Sequence, residues 1–208
     1  MKRILVVDDH PIVREGIKRI ASLSDQFTVA AEASDGNEAL ERMRNDDWDL
    51  VILDIGLPGR SGLDVLAQIR KEKTVPVLIF TVHPEHLYAI RAFKAGASGY
   101  ITKDRPTDEV FAAMAKVSQG GRYVDLAFAE YLVKDWGDFR GRAPHETLSN
   151  REYQIMTMIA RGRSVKQIAD ELTLSVKTVS AHKSRILSKM NMRSNGEITY
   201  YSIKNGLV

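Results

Sequence analysis

The sequence contains no cysteine and no long apolar run, and each absence excludes a class of protein. Without cysteine among its 208 residues, the chain can form neither a disulfide framework nor a thiolate metal site. The apolar run Ile4 to Val7 is too short for a signal peptide or a membrane span, and it ends at two aspartates. We therefore expect a cytoplasmic protein with no membrane partner, in which oxygen or histidine nitrogen would hold any metal.

Composition and charge favour two folded domains, of which the second is basic. The chain has 44% hydrophobic and 27% charged residues, as globular proteins do, and its length suffices for two small domains. Residues 148–208 contain ten lysines and arginines against four aspartates and glutamates. This surplus indicates a nucleic-acid partner for the C-terminal part, and a merely solvated basic surface is the alternative.

Short β-branched runs alternate with amphipathic stretches of helical period from Arg3 to Gln119. This alternation predicts an α/β fold: a doubly wound, five-stranded parallel sheet covered by helices. The predicted strands are Ile4 to Val7, Thr28 to Ala31, Leu50 to Leu53, Val77 to Phe80 and Gly99 to Ile101. Proline or a small residue opens each predicted helix, near Pro11, Gly36, Ser61, Pro84 and Pro106.

Residues 122–147 interrupt this pattern and are predicted to be a linker. A short helix is predicted around Ala127 to Val133, followed by glycine, proline and charged residues without periodicity. Residues 148–208 then carry closely spaced helix signals, including two capping boxes that begin at Ser149 and Ser164. We predict a small all-α domain after the linker.

Three carboxylates are expected to meet at one edge of the predicted sheet. Asp8 and Asp9 follow the first strand and Asp54 follows the third, and the carboxyl ends of parallel strands are where such sheets bind ligands. Each close pair of carboxylates costs about 4 kcal/mol at an effective dielectric constant of 20, so a hard cation such as Mg²⁺ would stabilise the group. The alternative is that these aspartates merely end strands and cap helices.

Thr81 ends the fourth predicted strand and Lys103 follows the fifth, so both should reach the same edge. A carboxylate can attack phosphorus and become an aspartyl phosphate, with Lys103 and Mg²⁺ neutralising the developing charge. Asp54 is the best candidate nucleophile.

Four segments together resemble the receiver domains of two-component signalling, over residues 2–121. They are Val6 to Pro11, Asp54 to Gly59, Thr81, and Gly99 to Lys103. The resemblance implies a flavodoxin-like fold with Asp54 as the phosphoacceptor. It also implies Mg²⁺ bound by Asp9, Asp54 and the carbonyl of Gly56, with Asp8 acting through water. Phosphate would contact Lys103, and Thr81 and Tyr100 would form a switch pair.

In the second domain, the predicted helices Val165 to Leu172 and Val176 to Met190 are separated by a short turn, as in a helix-turn-helix. Four basic residues lie on the second helix, whereas an apolar stripe can pack inward. The basic residues are Lys177, Lys183, Arg185 and Lys189, and the apolar ones are Val179, Ile186, Leu187 and Met190.

The strings Leu148 to Glu152, Ser175 to Val179 and Gly206 to Val208 resemble the LuxR-type helix-turn-helix. With the receiver, they are similar to response regulators of the NarL/FixJ class. The resemblance implies that the second helix enters the major groove, with bases facing Ser180, Ala181 and Ser184. Phosphate contacts would come from Lys177, Thr178, His182, Lys183 and Arg185, and packing within the domain is the alternative for His182.

The resulting hypothesis is a DNA-binding response regulator without enzymatic turnover of an external substrate. A sensor histidine kinase would phosphorylate Asp54, and the activated chain would bind promoter DNA as a homodimer, with the helix around Glu197 to Asn205 as one candidate contact. RNA polymerase is a further candidate partner. The rivals are a phosphohydrolase or phosphotransferase with an aspartyl-phosphate intermediate, and a receiver that only docks to proteins.

Overall fold

The computed structural model describes residues 1–125 and 143–208. The chain divides into two compact units, Met1–Lys134 and Asp135–Val208. The short helix predicted around 127–133 and the centre of the predicted linker lie outside the described residues. Within the described ranges, no helix is both long and apolar enough to cross a membrane.

The first unit is a five-stranded parallel sheet with helices between consecutive strands, as the sequence predicts. The strand order is β2-β1-β3-β4-β5, the doubly wound order of the flavodoxin-like fold. Its elements are β1 (Lys2–Val7), α1 (Pro11–Ala21), β2 (Phe27–Ala33), α2 (Gly36–Asn45), β3 (Leu50–Leu53), α3 (Gly62–Glu72), β4 (Val77–Thr81), α4 (Glu85–Lys94), β5 (Gly99–Thr102) and α5 (Thr107–Ser118).

The strands are longer than their apolar runs wherever polar residues continue the backbone pairing. Glu32 of β2 pairs with Val6 of β1, and Thr81 at the end of β4 pairs with Thr102 at the end of β5. Apolar runs predict only the buried centre of a strand, because a polar end residue can pair its backbone while its side chain reaches water. The predicted strand centres are therefore confirmed, and β3 agrees at both ends.

The core lies on both faces of the sheet, because alternate residues of each central strand point to opposite sides. Ile4, Ile52 and Leu78 pack in one hydrophobic cluster with Ile17 of α1 and Met114 of α5. The strand residues between them are also almost fully buried. This burial fixes the register of the sheet, and with it the positions at which the strands end.

The ends of the predicted linker are part of folded structure. Tyr123 forms an isolated parallel bridge with Gly99, the first residue of β5. At the other end, Pro144–Thr147 is a 3₁₀ turn in which Nδ1 of His145 lies 2.8 Å from the hydroxyl of Tyr201. Neither contact could be predicted from the sequence, since both depend on residues distant along the chain.

The described part of the second unit, residues 143–208, contains four α-helices: α6 (Asn150–Ala160), α7 (Val165–Glu171), α8 (Val176–Lys189) and α9 (Asn195–Lys204). Both predicted capping boxes are present, at Ser149 and Ser164. Thr173 adopts a left-handed conformation with φ of 53° in the turn between α7 and α8. Helix α6 contacts α8 and α9, and α7 contacts α8, so the domain is all-α as predicted.

Gly62 allows α3 to begin directly against the end of β3. A Cβ atom there would lie 1.9 Å from the backbone oxygen of Asp54, whereas a Cβ at Gly16 in α1 would meet nothing within 4 Å. We expect Gly62→Ala to lower the free energy of unfolding by about 2 kcal/mol or more, because backbone must move. Gly16→Ala is the matched control and should raise it by about 0.5–1 kcal/mol. Urea unfolding measures both, and equal effects would contradict the packing described.

Candidate functional site

Lys103 lies between two buried carboxylates at the carboxyl edge of the sheet. Its Nζ donates a hydrogen bond of 2.7 Å to Oδ2 of Asp54 and lies 2.6 Å from Oδ2 of Asp8. The two aspartates are 2% and 3% exposed. Each of the three residues directly follows a strand, β1, β3 or β5. The pocket therefore combines a nucleophilic oxygen with a cation already in contact with it.

Burial and charge shift the protonation equilibria of this pocket. Burial, followed by the negative charge of Asp54, raises the pKa of Asp8, and the hydrogen bond from Lys103 only partly offsets this. Burial alone would lower the pKa of Lys103, but its contacts with Asp54 and Asp8 outweigh that effect and raise it. Lys103 consequently remains an ammonium ion at neutral pH.

Asp9 and His10 extend the pocket and make it suitable for a divalent cation. Ligand atoms of Asp8, Asp9, His10 and Asp54 all lie within 4.8 Å of one another. Oδ1 of Asp9 is buried and accepts no hydrogen bond of acceptable geometry from the described residues, although Nδ1 of His10 is 2.8 Å away. A carboxylate oxygen without a hydrogen-bond donor beside two other carboxylates is the donor set that Mg²⁺ prefers.

The loop after β3 places backbone groups around the Asp54 carboxylate. The amide of Gly56 donates a hydrogen bond of 3.2 Å to Oδ1 of Asp54. A Cβ atom at Gly56 would lie 3.5 Å from Oδ2, in ordinary contact with the carboxylate. Glycine therefore places no side chain beside the Asp54 carboxylate at this position.

Thr81 and Tyr100, the predicted switch pair, are both 0% exposed and are linked through the backbone of His83. The amide of His83 donates to Oγ1 of Thr81 at 3.4 Å, and the hydroxyl of Tyr100 donates to the carbonyl of His83 at 2.9 Å. The sequence offered no role for His83. A backbone contact of this kind carries no side-chain signature, so the sequence could not have revealed it.

Helix α8 presents a basic, solvent-exposed face opposite its packed side. Val179, Ile186 and Met190 are buried as predicted, and Leu187 is half-buried. The predicted DNA contacts Lys177, Ser180, Ala181, Ser184 and Arg185 are exposed, and Thr178, His182 and Lys183 are half-buried. No member of the predicted set is therefore fully buried.

Some members of that predicted set make contacts within the domain, and the hydroxyl of Ser184 donates to the carbonyl of Ser180 at 3.1 Å. The hydroxyl of Thr178 lies 2.8 Å from that of Ser175, which caps α8. Nδ1 of His182 is buried without a hydrogen-bond partner among the described residues. Burial, followed by the charge of Arg185, lowers the pKa of His182. A neutral imidazole favours the packing alternative for His182 over an ion pair with phosphate.

Two family models match the chain, one on each unit. Residues 4–115 match the response regulator receiver domain, and residues 146–202 match the bacterial regulatory proteins of the luxR family. The chain belongs to the LuxR-type response regulators. It is therefore a DNA-binding member of the two-component systems, and it is similar to the response regulator UvrY and to the oxygen regulatory protein NreC.

Individual relatives match between 66% and 100% of this chain. The response regulator UvrY of Escherichia coli K12 is 36% identical over 209 residues, which cover 100% of this chain and 96% of the relative. A LuxR-family response regulator from Aurantimonas is 37% identical, with a TM-score of 0.62, over 66% of this chain and 99% of its own. RcsB of Salmonella enterica, solved on promoter rprA with a phosphomimetic, shares the fold at 22% identity, with a TM-score of 0.65, over 96% of this chain and 97% of its own.

Glu85, at the start of α4, is an acidic residue that sequence reasoning missed. Its Oε1 is buried and has no hydrogen-bond partner among the described residues. Burial, followed by the charge of Asp125, raises the pKa of Glu85 to about 7, and Arg105 offsets this only in part. A glutamate in the first turn of a helix is common in sequences. Its raised pKa and its unpartnered oxygen therefore become visible only from its surroundings in the fold.

We expect Glu85→Gln to stabilise the response regulator above pH 7. Because the folded pKa of Glu85 is above that of the unfolded chain, the stability it contributes is complete below pH 4.5 and is lost as the pH rises to about 7. Glutamine cannot ionise, so the variant should exceed the wild type by about 1–2 kcal/mol at pH 8, after allowance for partial exposure. Urea unfolding from pH 4.5 to 8 measures this. The exposed control Glu41→Gln should follow the wild type, and a Glu85→Gln curve parallel to both would refute the expectation.

Proposed function

We propose that this chain is a phosphorylation-gated transcription regulator, in which a sensor histidine kinase phosphorylates Asp54 and promoter DNA binds α8. The observation that carries the proposal is the contact of Lys103 with both Asp54 and Asp8 on the same chain as an exposed basic helix. The pocket has the parts needed to accept a phosphoryl group, and the helix has those needed to bind DNA.

In the proposed transfer, an oxygen of Asp54 attacks phosphorus and the bond between phosphorus and the histidine nitrogen of the kinase breaks. Lys103 is placed to neutralise charge on the phosphoryl oxygens, and the amide of Gly56 orients the attacking carboxylate. Asp9, Asp54 and the carbonyl of Gly56 would hold Mg²⁺, with Asp8 acting through water. The ion would supply the positive charge that lets an anionic donor approach three carboxylates.

The proposed signal leaves the pocket through Thr81, His83 and Tyr100. When the Thr81 hydroxyl turns to the phosphoryl group, its contact with the His83 amide is lost. The carbonyl of the same residue accepts the Tyr100 hydroxyl, so movement of one contact disturbs the other. The loop between β4 and α4 would shift as a result, which changes the face formed by α4, β5 and α5.

For DNA binding, we propose that α8 enters the major groove. Lys177 and Arg185, both exposed, would bind phosphates, with Lys183 and Thr178 at the margin, and His182 would support α8 from its packed side. Ser180, Ala181 and Ser184 would face bases. These side chains are too short for the bidentate contact by which arginine reads guanine, so specificity would depend on methyl contacts, water and DNA shape.

We further propose that the active form is a homodimer on paired half-sites. The described part of α9 leaves Tyr200 70% and Ile203 63% exposed, which gives the second unit an apolar surface suited to a second copy. Half-sites about 10 base pairs apart, or a multiple, would follow from two α8 helices on one side of the duplex. A promoter-bound dimer could then contact RNA polymerase.

We expect phosphorylation to strengthen DNA binding by a graded factor, because coupling between two sites is typically about 1–3 kcal/mol. The full chain is selected against a randomised duplex library, with and without beryllium fluoride and Mg²⁺. Enrichment of paired half-sites that depends on beryllium fluoride is expected for the wild type and not for Asp54→Asn. Equal enrichment without fluoride would remove the gate, and no enrichment in either condition would favour a receiver that acts only by docking to proteins.

The phosphate contacts of α8 are tested by the salt dependence of DNA affinity. Each phosphate contact contributes a slope of about −0.9 in a plot of log affinity against log salt concentration. We expect Lys177→Ala and Arg185→Ala each to reduce the slope by about 1 on every sequence tested. The control is Lys71→Ala, because Lys71 is exposed on α3 of the first unit and belongs to neither the DNA surface nor the dimer surface proposed above. An unchanged slope for both α8 variants would place the DNA elsewhere.

A further inference from the structure

A second cavity lies at the amino ends of β4 and β5, the sheet edge opposite the acidic pocket. Its volume is about 360 Å³, and it contains no carboxylate side chain among its lining residues. The residues that line it are Arg70, Thr74, Gly96, Ala97, Ser98, Gly120, Gly121 and Arg122. The cavity therefore has two guanidinium groups and no acidic side chain among its lining residues, whereas three carboxylates lie at the pocket of Asp54.

Arg70 is held in the cavity by neutral groups. Its Nε donates to the carbonyl of Gly96 at 2.8 Å and its Nη1 to the carbonyl of Val75 at 2.7 Å, whereas Nη2 has no hydrogen-bond partner among the described residues. Burial lowers the pKa of Arg70, and no carboxylate offsets that effect. A half-buried cation without a counter-ion is costly, and a bound anion would remove the cost.

Gly96 makes room for the Arg70 side chain. A Cβ atom at Gly96, which has a φ of +101°, would lie 2.9 Å from Cγ of Arg70, too close for any ordinary contact. The same glycine supplies the carbonyl that fixes Nε. The guanidinium is thus positioned before any ligand arrives, which lowers the conformational cost of binding.

Arg122 and two hydroxyl groups supply the remaining donors. Arg122 is exposed and makes neither a hydrogen bond nor an ion pair within residues 1–125 and 143–208. Oγ of Ser98 accepts from the amide of Val77 at 3.4 Å, which leaves its hydroxyl hydrogen free to donate, and Thr74 is exposed at the rim. Two guanidinium groups and two hydroxyls can donate to more oxygen atoms than a single carboxylate offers. They therefore suit a phosphate group, which has more acceptor oxygens.

We propose that the cavity between Arg70 and Arg122 binds the phosphate group of a small molecule, either free phosphate or a phosphate monoester. Binding joins the end of α3, the start of β5 and the residues after α5, so a ligand stabilises the first unit without touching Asp54. The site is independent of phosphotransfer and of DNA binding.

The test is a titration of the ¹⁵N-labelled full chain with inorganic phosphate and, separately, with adenosine monophosphate, in EDTA and at constant ionic strength. Amide signals of Gly96, Gly120 and Gly121 report on the cavity, and that of Gly56 reports on the acidic pocket. We expect saturable shifts of the three cavity glycines while Gly56 stays unchanged. Tighter binding of adenosine monophosphate would identify an ester as the ligand class, and tighter binding of inorganic phosphate would identify the free anion.

Substitutions separate a specific site from general attraction to positive charge. Arg122→Ala should weaken binding by about tenfold or more, because a charge-assisted hydrogen bond is lost. Arg19→Ala is the matched control, since that side chain is 82% exposed and outside the cavity, and it should leave binding unchanged. Arg70→Lys keeps the charge but loses the two-carbonyl anchor, and should also weaken binding. Shifts that do not saturate, shifts of Gly56 alone, or equal effects of Arg122→Ala and Arg19→Ala would overturn the proposal.

Discussion

The ion pairs of Lys103 with Asp8 and Asp54 are the interaction on which the rest of the receiver depends. The two carboxylates are almost fully buried, and their mutual repulsion is balanced by one ammonium group that touches both. Removal of one member of such a buried group typically costs about 3–5 kcal/mol, because it leaves an uncompensated charge. The same contact places an ammonium group 2.7 Å from the Asp54 carboxylate, where it can neutralise charge on an incoming phosphoryl group. The position of the Lys103 ammonium group is therefore required both for the stability of the receiver and for its proposed chemistry.

The sheet fixes this arrangement through its strand order. β1 and β3 are neighbours, and the amide of Asp54 donates to the carbonyl of Val7 at 2.9 Å, which aligns the two strand ends. The side chain of Lys103 reaches both aspartates from the end of β5. Its backbone amide donates a hydrogen bond of 2.8 Å to the carbonyl of Thr81. Thr81, the proposed switch residue, and Lys103 are thus joined by one backbone hydrogen bond. Any change in the charge held at Asp54 acts on a lysine whose backbone is tied to the end of β4.

The sequence was informative where chemistry follows from residue type and strand position. Asp8, Asp9, Asp54, Lys103 and Thr81 could be predicted at one edge, because each follows or ends an apolar run and the ends of parallel strands meet. The pairing of polar strand ends such as Glu32 could not, since pairing there is a property of the backbone. The role of the His83 backbone, the environment of Glu85 and the arginine cavity also depend on distant neighbours. Periodicity within one segment carries no information about them.

The most direct test of the central claim is the site and metal dependence of phosphorylation in the full chain. The chain is incubated with a small phosphoryl donor such as acetyl phosphate, and the product is resolved on a phosphate-affinity gel and mapped by mass spectrometry. The account predicts one phosphoryl group per chain, on Asp54, that is cleaved by alkali and by hydroxylamine, forms with Mg²⁺ and does not form in EDTA. Phosphorylation of Asp54→Asn to the same extent as the wild type, or full phosphorylation in EDTA, would contradict it.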